Sequence, residues 1–253
     1  MENRKTALVT GASSGIGRSF ARRLAADGYN LILVSRTLSA LTEVKTDLES
    51  RFGVQAEAFP VDLSRIEEIR RLEEKIAQTP DLEFIINSAG LGGGWDRVYP
   101  DVDIDSSTRM ITVHCVATQR LSRAAAEVMK KNGRGYIINL ASVAAFISNP
   151  GAADYTSTKA YILSFTRNLA LDLKQTGVRV QALCPGFVKT DFYNTPEMTP
   201  AKEEYKRIPS FLWLDLEWLT GKSLSTIKRY RFAPVYIPSI RYKLIAWLMK
   251  RIF

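Results

Sequence analysis

Thr10-Gly11-Ala12-Ser13-Ser14-Gly15-Ile16-Gly17 follows the apolar run Thr6 to Val9 and opens a helical stretch from Gly15 to Asp27. A strand that runs through glycines straight into a helix is the first unit of a βαβ fold. Gly11 permits the tight turn, Gly15 lets the backbone come close to an anion, and Gly17 lets the helix pack closely on the strand. The free amides at the helix start and the helix dipole then favour a pyrophosphate group. The spacing is G-x-x-x-G-x-G, not the more familiar G-x-G-x-x-G. A glycine cluster alone is a weak signal; its place between strand and helix gives it meaning.

Outward from this turn, strand and helix alternate. Ala7-Leu-Val, Leu31 to Val34, Ala56 to Val61, Phe84-Ile-Ile, Tyr136-Ile-Ile and Val178 to Leu183 read as short strands. Several are almost continuously apolar, as strands covered by helices on both faces must be. Between them, Gly15 to Asp27, Leu38 to Arg51, Ile66 to Gln78, about Ser106 to Lys131 and Ala152 to Gln175 read as helices, with Asp27-Gly28 and Asn132-Gly133 as stop signals. Repeated βα units without a linker predict an α/β chain with a doubly wound parallel sheet of Rossmann type, a single domain over residues 1–253. After Cys184 the regularity fades. Residues 187–233 are expected to form a substrate lid, Val235-Tyr-Ile a last edge strand, and residues 239–253 a C-terminal helix of basic and apolar residues.

The bulk numbers agree with one domain: 253 residues, 46% hydrophobic and 24% charged. No run reaches the roughly 18 apolar residues of a membrane span. The N-terminus leads directly into the first strand and carries no secretory pattern. Two cysteines, Cys115 and Cys184, and one histidine make neither a disulfide framework nor a zinc site, so no metal is expected. These features point to the cytoplasm. The net charge of +9 is unevenly placed: from Trp218 to Phe253 there are eight bases and no acid. Without a recognition motif these bases do not indicate nucleic acid. Peripheral membrane contact is a minority reading, because Arg241 and Arg251 fall within the apolar arc of the terminal helix; packing at a subunit interface or beside the substrate entrance competes with it.

The second strand ends in Ser35-Arg36. An acidic group in that region binds ribose hydroxyls, whereas an arginine accommodates a 2′-phosphate. Arg36 therefore favours NADP(H), with NAD(H) as the alternative. Asp62 follows the third strand, where it can accept from an adenine amino group or serve a helix start; Ser64 with Glu67 is the better capping box. Small residues in Asn87-Ser-Ala-Gly90 let the backbone lie against a cofactor.

Tyr155-Thr-Ser-Thr-Lys159 lies near the start of a long helix, and a spacing of four puts both side chains on one face. A phenol with a pKa of about 10 is a poor acid–base group near neutrality. An ammonium about 5 Å away, at an effective dielectric of ~20, favours the phenolate by ~3 kcal/mol, roughly two pKa units. The expectation is a phenol made acidic by Lys159. Ser142, at the carboxyl end of the fifth strand, falls where loops line the ligand crevice of an open α/β sheet, so its hydroxyl can hold a substrate oxygen.

Taken together, Thr10-Gly-x-x-x-Gly-x-Gly17, Asn87-x-Ala-Gly90, Ser142, Tyr155-x-x-x-Lys159 and Pro185-Gly186 resemble the short-chain dehydrogenase/reductase family, over roughly residues 5 to 191. The resemblance implies an oxidoreductase interconverting a carbonyl and an alcohol. It implies Tyr155 as general acid/base, Ser142 as substrate-orienting group and Lys159 as ribose binder. Arg36 matches the NADP-using branch. The expected cofactor-binding residues are Gly11, Ser13, Ser14, Gly15, Ile16, Gly17, Arg36, Asp62, Leu63, Asn87, Ala89, Gly90, Pro185, Gly186, Val188 and Thr190, with Tyr155 and Lys159 shared. The family usually carries an asparagine in the helix before the fifth strand; here His114 stands in its place, either holding a relay water and titrating near pH 6.5 or simply packed. The family also implies a homodimer or homotetramer.

The loops Leu91 to Pro100, Val143 to Asp154 and Phe187 to about Trp218 are expected over the crevice. Their aromatics suit a lipophilic substrate, 3-oxoacyl or steroid-like, or else close a small core of the lid. The alternative to an enzyme is a dinucleotide-binding or interaction protein that keeps the fold without the chemistry.

Overall fold

A computed structural model of the chain describes residues 4–92, 98–194, 198, 205–229 and 233–249. The chain forms a 7-stranded sheet in the order β3-β2-β1-β4-β5-β6-β7, every pair parallel. The strands are β1 Thr6–Thr10, β2 Asn30–Ser35, β3 Ala56–Pro60, β4 Leu82–Asn87, β5 Gly135–Leu140, β6 Val178–Leu183 and β7 Val235–Tyr236. The helices that matter below are α1 Gly15–Ala26, α2 Leu38–Phe52, α3 Ile66–Ala77, α4 Ile104–Ile111, α5 Thr118–Lys131, α6 Ala153–Asp172, α7 Leu216–Ile227 and α8 Ile240–Met249.

The near-continuous apolar strands are explained by two cores, one on each face. Ala7, Val9, Leu31 and Leu33 face Phe20 and Leu24 of α1 and Leu41 and Leu48 of α2. The alternate residues Leu8, Ile32 and Val34 face Ile69, Leu72 and Ile76 of α3 and Leu121 and Met129 of α5. Each fully buried side chain of this size contributes about 1.5–3 kcal/mol, so polar alternation within these strands would be costly. Glu83 in β4 is a charged exception, 5% exposed. Its Oε1 accepts from the Tyr29 hydroxyl at 2.9 Å and from Arg134 at 2.8 Å, which compensates the buried charge.

The winding reverses between β1 and β4, and the loops leaving the carboxyl ends of β1 to β6 all open on that edge. Thr10 ties the two central strands there: its Oγ1 accepts from the amides of Ser88 and Ala89, both at 3.0 Å. Gly17 explains why α1 starts where it does. A Cβ on Gly17 would lie 2.2 Å from the Gly11 carbonyl oxygen, and Gly11 itself has φ +66°.

Four features differ from the sequence reading or refine it. The helix read from Ser106 to Lys131 begins at Ile104, capped by Asp103, and is broken by a π-turn at Thr112–Ala117. The Ser64–Glu67 capping box does not form. Instead Asp62 Oδ1 takes both Ser64 donors, at 3.0 and 2.8 Å, and Glu68 accepts from the Asp62 amide at 2.9 Å; the tight Asx turn holds Ser64 away from the helix start. Within the stretch 187–233, Leu216–Ile227 is a framework helix: Ser19 and Arg23 of α1 bond Thr220 at 2.8 and 3.2 Å. The edge strand is short, pairing only Val235 and Tyr236 with Ala182 and Leu183. Residues 93–97, 199–204 and 250–253, read as parts of loops and the terminal helix, lie outside the described residues.

Two glycine substitutions separate close packing from backbone conformation. Gly17→Ala is expected to lower stability in urea unfolding by about 3 kcal/mol or to abolish folding, because backbone must move. Gly28→Ala, at φ +85° with nothing near its Cβ, is expected to cost only about 1 kcal/mol.

Candidate active site

One cleft of about 430 Å³ runs along the carboxyl edge of the sheet, across the switch point. Its walls include Gly11, Ser13, Ser14, Gly15, Ile16 and Gly17 after β1, Arg36 after β2, Asp62 and Leu63 after β3, and Ala89 and Gly90 after β4. Ser142, Tyr155 and Lys159 stand farther along, with Pro185, Gly186, Val188 and Thr190 after β6. Nearly all the predicted residues thus come together from distant parts of the chain. Arg36 is exposed at the cleft and makes no ion pair among the described residues, leaving its guanidinium available to an anion.

Asn87 is the one predicted cofactor residue that does not reach the cleft. Strand alternation turns its side chain under the sheet. There it is buried, donating to Asn139 Oδ1 at 2.8 Å and Ser122 Oγ at 3.1 Å. Asn139 in turn donates to Thr166 at 3.0 Å. This polar ladder locks β4, β5, α5 and α6 together beneath the cleft floor.

Ser142 follows β5 two residues past Leu140 with an extended backbone, and its Oγ accepts from the Ala144 amide at 3.1 Å. The loop is fixed further by the Val143 amide donating to Pro185 O at 3.0 Å. Ser142 also hydrogen-bonds the Tyr155 hydroxyl. Lys159 is buried, donates from Nζ to Leu140 O at 3.0 Å, and lies 5.6 Å from the Tyr155 ring centre.

The expectation that Lys159 lowers the phenol is corrected by this geometry. Burial pushes Tyr155 up to about 12, with the Ser142 hydrogen bond opposing. Burial also pulls Lys159 down to about 8, opposed by the Cys115 and Cys184 thiols. Removing water penalises the charged form of each group. A Coulomb estimate that ignores desolvation therefore leaves out the larger effect. In the protein alone the phenol holds its proton through neutral pH.

His114 is buried in the π-turn, and both ring nitrogens are engaged. Nε2 accepts from the Leu91 amide at 2.9 Å, which places the proton on Nδ1, 2.9 Å from Thr158 Oγ1. Thr158 then donates to the Tyr155 carbonyl at 2.9 Å. The ring therefore clamps the loop after β4 to the helix of Tyr155. Burial and the charge of Lys159 hold its pKa well below the ordinary value, so the expected titration near pH 6.5 is not supported. Neither nitrogen is left to bind a relay water directly.

The sequence reading missed four contributors. Ser35 and Thr37 flank Arg36 in the cleft wall, and the Ser35 hydroxyl is buried with no hydrogen-bond partner among the described residues. Thr158 was passed over within Tyr155-Thr-Ser-Thr-Lys159, though its hydroxyl spacing to Tyr155 was visible. Tyr242 of α8 packs on Gly186, where a Cβ would lie 1.8 Å from the phenol ring. Its hydroxyl accepts from the Phe187 amide at 3.0 Å and donates to Leu212 O at 2.7 Å. No local pattern predicted that contact.

A sequence profile described as short chain dehydrogenase matches residues 5–199. The chain belongs to the short-chain dehydrogenase family. Among its relatives is an NADP-dependent 3-hydroxy acid dehydrogenase of Schizosaccharomyces pombe, 35% identical over 190 residues, covering 74% of this chain and 73% of the relative. A very-long-chain 3-oxoacyl-CoA reductase-A of Danio rerio is 30% identical over 207 residues, 79% of this chain but 64% of that protein. A solved short-chain dehydrogenase from Sphingobium yanoikuyae, in complex with NADPH, superposes with a TM-score of 0.84 at 28% identity, covering 98% of this chain and 94% of that one. The protein is thus an oxidoreductase of CH–OH and C=O groups by family. Among the described residues no helix is long and apolar enough to cross a membrane.

The clamp is testable because the chain has a single histidine. Its imidazole proton resonances are expected to stay unshifted through the ordinary midpoint of about 6.5 when pH is varied in NMR. His114→Leu removes the acceptor of the half-buried Leu91 amide and is expected to cost about 1–3 kcal/mol in urea unfolding.

Proposed function

We propose that this dehydrogenase reduces the carbonyl group of a lipophilic substrate of the 3-oxoacyl type with NADPH. The observation that carries this reading is the Ser142–Tyr155 hydrogen bond above a buried Lys159, in the same cleft as the glycine turn. A substrate carbonyl oxygen seated against Ser142 and Tyr155 accepts two hydroxyl hydrogen bonds. As the carbonyl carbon is reduced, the growing negative charge on that oxygen is met by the Tyr155 proton. A phenol that stays protonated near neutrality suits this direction. Lys159 stabilises the phenolate left behind, provided the amine is charged at that moment.

The residues of the cleft fit a dinucleotide. The Gly11–Gly17 contact leaves no room for side chains where a pyrophosphate would lie against backbone amides. Arg36, with Ser35 and Thr37 beside it, suits a 2′-phosphate, and no carboxylate stands in that place. Gly186, Val188 and Thr190 would flank the nicotinamide end. NADPH supplies the hydride when bound. Support for the phosphorylated carrier also comes from the names of the fission-yeast relative and the Sphingobium structure.

Apolar substrate character is supported by Leu91, Met110, Val113, Phe192 and Tyr193 in the cleft wall. Phe187, Tyr193, Tyr205 and Trp213 also pack on one another, with ring centres 4.6 to 6.1 Å apart. The lid aromatics therefore build their own small core, and Phe192 and Tyr193 present it to the cleft. The 3-oxoacyl preference rests on the relatives' named substrates and on this apolar wall.

Following NADPH oxidation with 3-oxoacyl thioesters and bulky ketones, Tyr155→Phe is expected to lower kcat by about 10²–10⁴. Rates for the parent no higher than background on every substrate, and equal to the variant's, would return the protein to a non-catalytic, dinucleotide-binding role. Arg36→Asp is expected to raise KM for NADPH by about tenfold or more while sparing NADH. The reduction rate is expected to fall as pH rises through about 8, where the amine of Lys159 loses its charge. A pH profile flat through that range would remove Lys159 from the mechanism.

A further inference from the structure

We propose that α8 is an interfacial helix that seats the protein on an anionic lipid surface. The structure settles which side of this helix is inward. Tyr242 and Ala246 are buried against the rest of the protein. Ile240, Leu244, Trp247 and Leu248 are 77%, 56%, 49% and 47% exposed. At about 100° per residue these four lie within roughly 80–100° of arc. Lys243 borders Trp247 on one edge of the strip, and Arg241 borders Leu248 on the other; both are exposed.

This arrangement corrects the sequence reading of the tail, in which Arg241 interrupted an apolar arc. The helix has two apolar arcs, one buried and one outward, and Arg241 marks the border between them. An outward apolar strip edged by bases is the pattern of a helix lying in a membrane interface. The strip continues into the lid: Arg241 donates to the Phe211 carbonyl and covers its ring at 5.7 Å, and Phe211 is itself exposed.

Charge selects the occupant. Of the eight bases between Trp218 and Phe253, Arg241 and Lys243 edge the strip, whereas Lys228 pairs with Asp27 after α1. A two-fold pairing of this face with a second copy would set identical basic edges against each other. An anionic bilayer complements both the apolar strip and its edges. The inward side of the same helix holds Gly186 and the Phe187 amide through Tyr242. A lipid-seated α8 therefore keeps the cleft mouth at the membrane surface, where lipophilic compounds concentrate.

The test is flotation of the full chain with vesicles of phosphatidylcholine alone and of equimolar phosphatidylcholine and phosphatidylglycerol. The parent protein is expected to float with the anionic vesicles only, and less so as salt is raised. Lys243→Glu is expected to weaken binding by roughly tenfold, and Leu244→Glu to abolish flotation while keeping the parent's thermal unfolding midpoint. Should Leu244→Glu fail to fold, Lys243→Glu and the salt series decide. No flotation of the parent, equal flotation with both lipids, or variants that float like the parent would overturn the proposal. So would sedimentation showing that Leu244→Glu splits a dimer while lipid binding persists. None of these readouts depends on turnover, so the catalytic reading stands or falls separately.

Discussion

The cleft exists because α1 can lie directly on the carbonyl of Gly11. Any side chain at Gly17 would push the helix off the turn, and with it the amides that face the cleft. Thr10 carries the same constraint sideways, since its hydroxyl binds two amides of the loop after β4. The glycine turn and the neighbouring loop are therefore placed as one unit at the point where the sheet reverses its winding. Everything catalytic is measured from that unit.

Desolvation then sets the chemistry. Lys159 is buried and Tyr155 half-buried, and the same loss of water drives the phenol's pKa up and the amine's down. The pair is most useful when a proton must be held and delivered at one atom, with the amine stabilising the phenolate that remains. Ser142 opposes the burial effect on the phenol by hydrogen bonding it, and also fixes its own loop by accepting from Ala144. Small shifts of β5 would disturb both roles.

His114 shows how one substitution within a helix can change its job. A neutral imidazole offers an acceptor on one side and a donor on the other, a span suited to bridging Leu91 and Thr158. The π-turn at Thr112–Ala117 displaces the helix locally and points the ring at both partners. The connection from the loop to Tyr155 is then made through protein groups.

Strand and helix order, the parallel sheet and most of the cleft were legible in the sequence. Continuous apolar strands, glycines at a strand–helix junction and a Tyr-x-x-x-Lys pair are local patterns with local physical causes. Ser142, Tyr155 and Arg36 could be placed at the cleft wall because each lies near a predictable end of a strand or on a predictable face of a helix. Asn87 lies outside the cleft wall, because its side chain points beneath the sheet while Ser88, Ala89 and Gly90 line the cleft. The pKa order, the His114 clamp, the Tyr242 support of Gly186 and the outward strip of α8 were decided only by the fold. Each depends on water excluded by, or side chains supplied from, segments far away in the chain, and no spacing along one stretch encodes that.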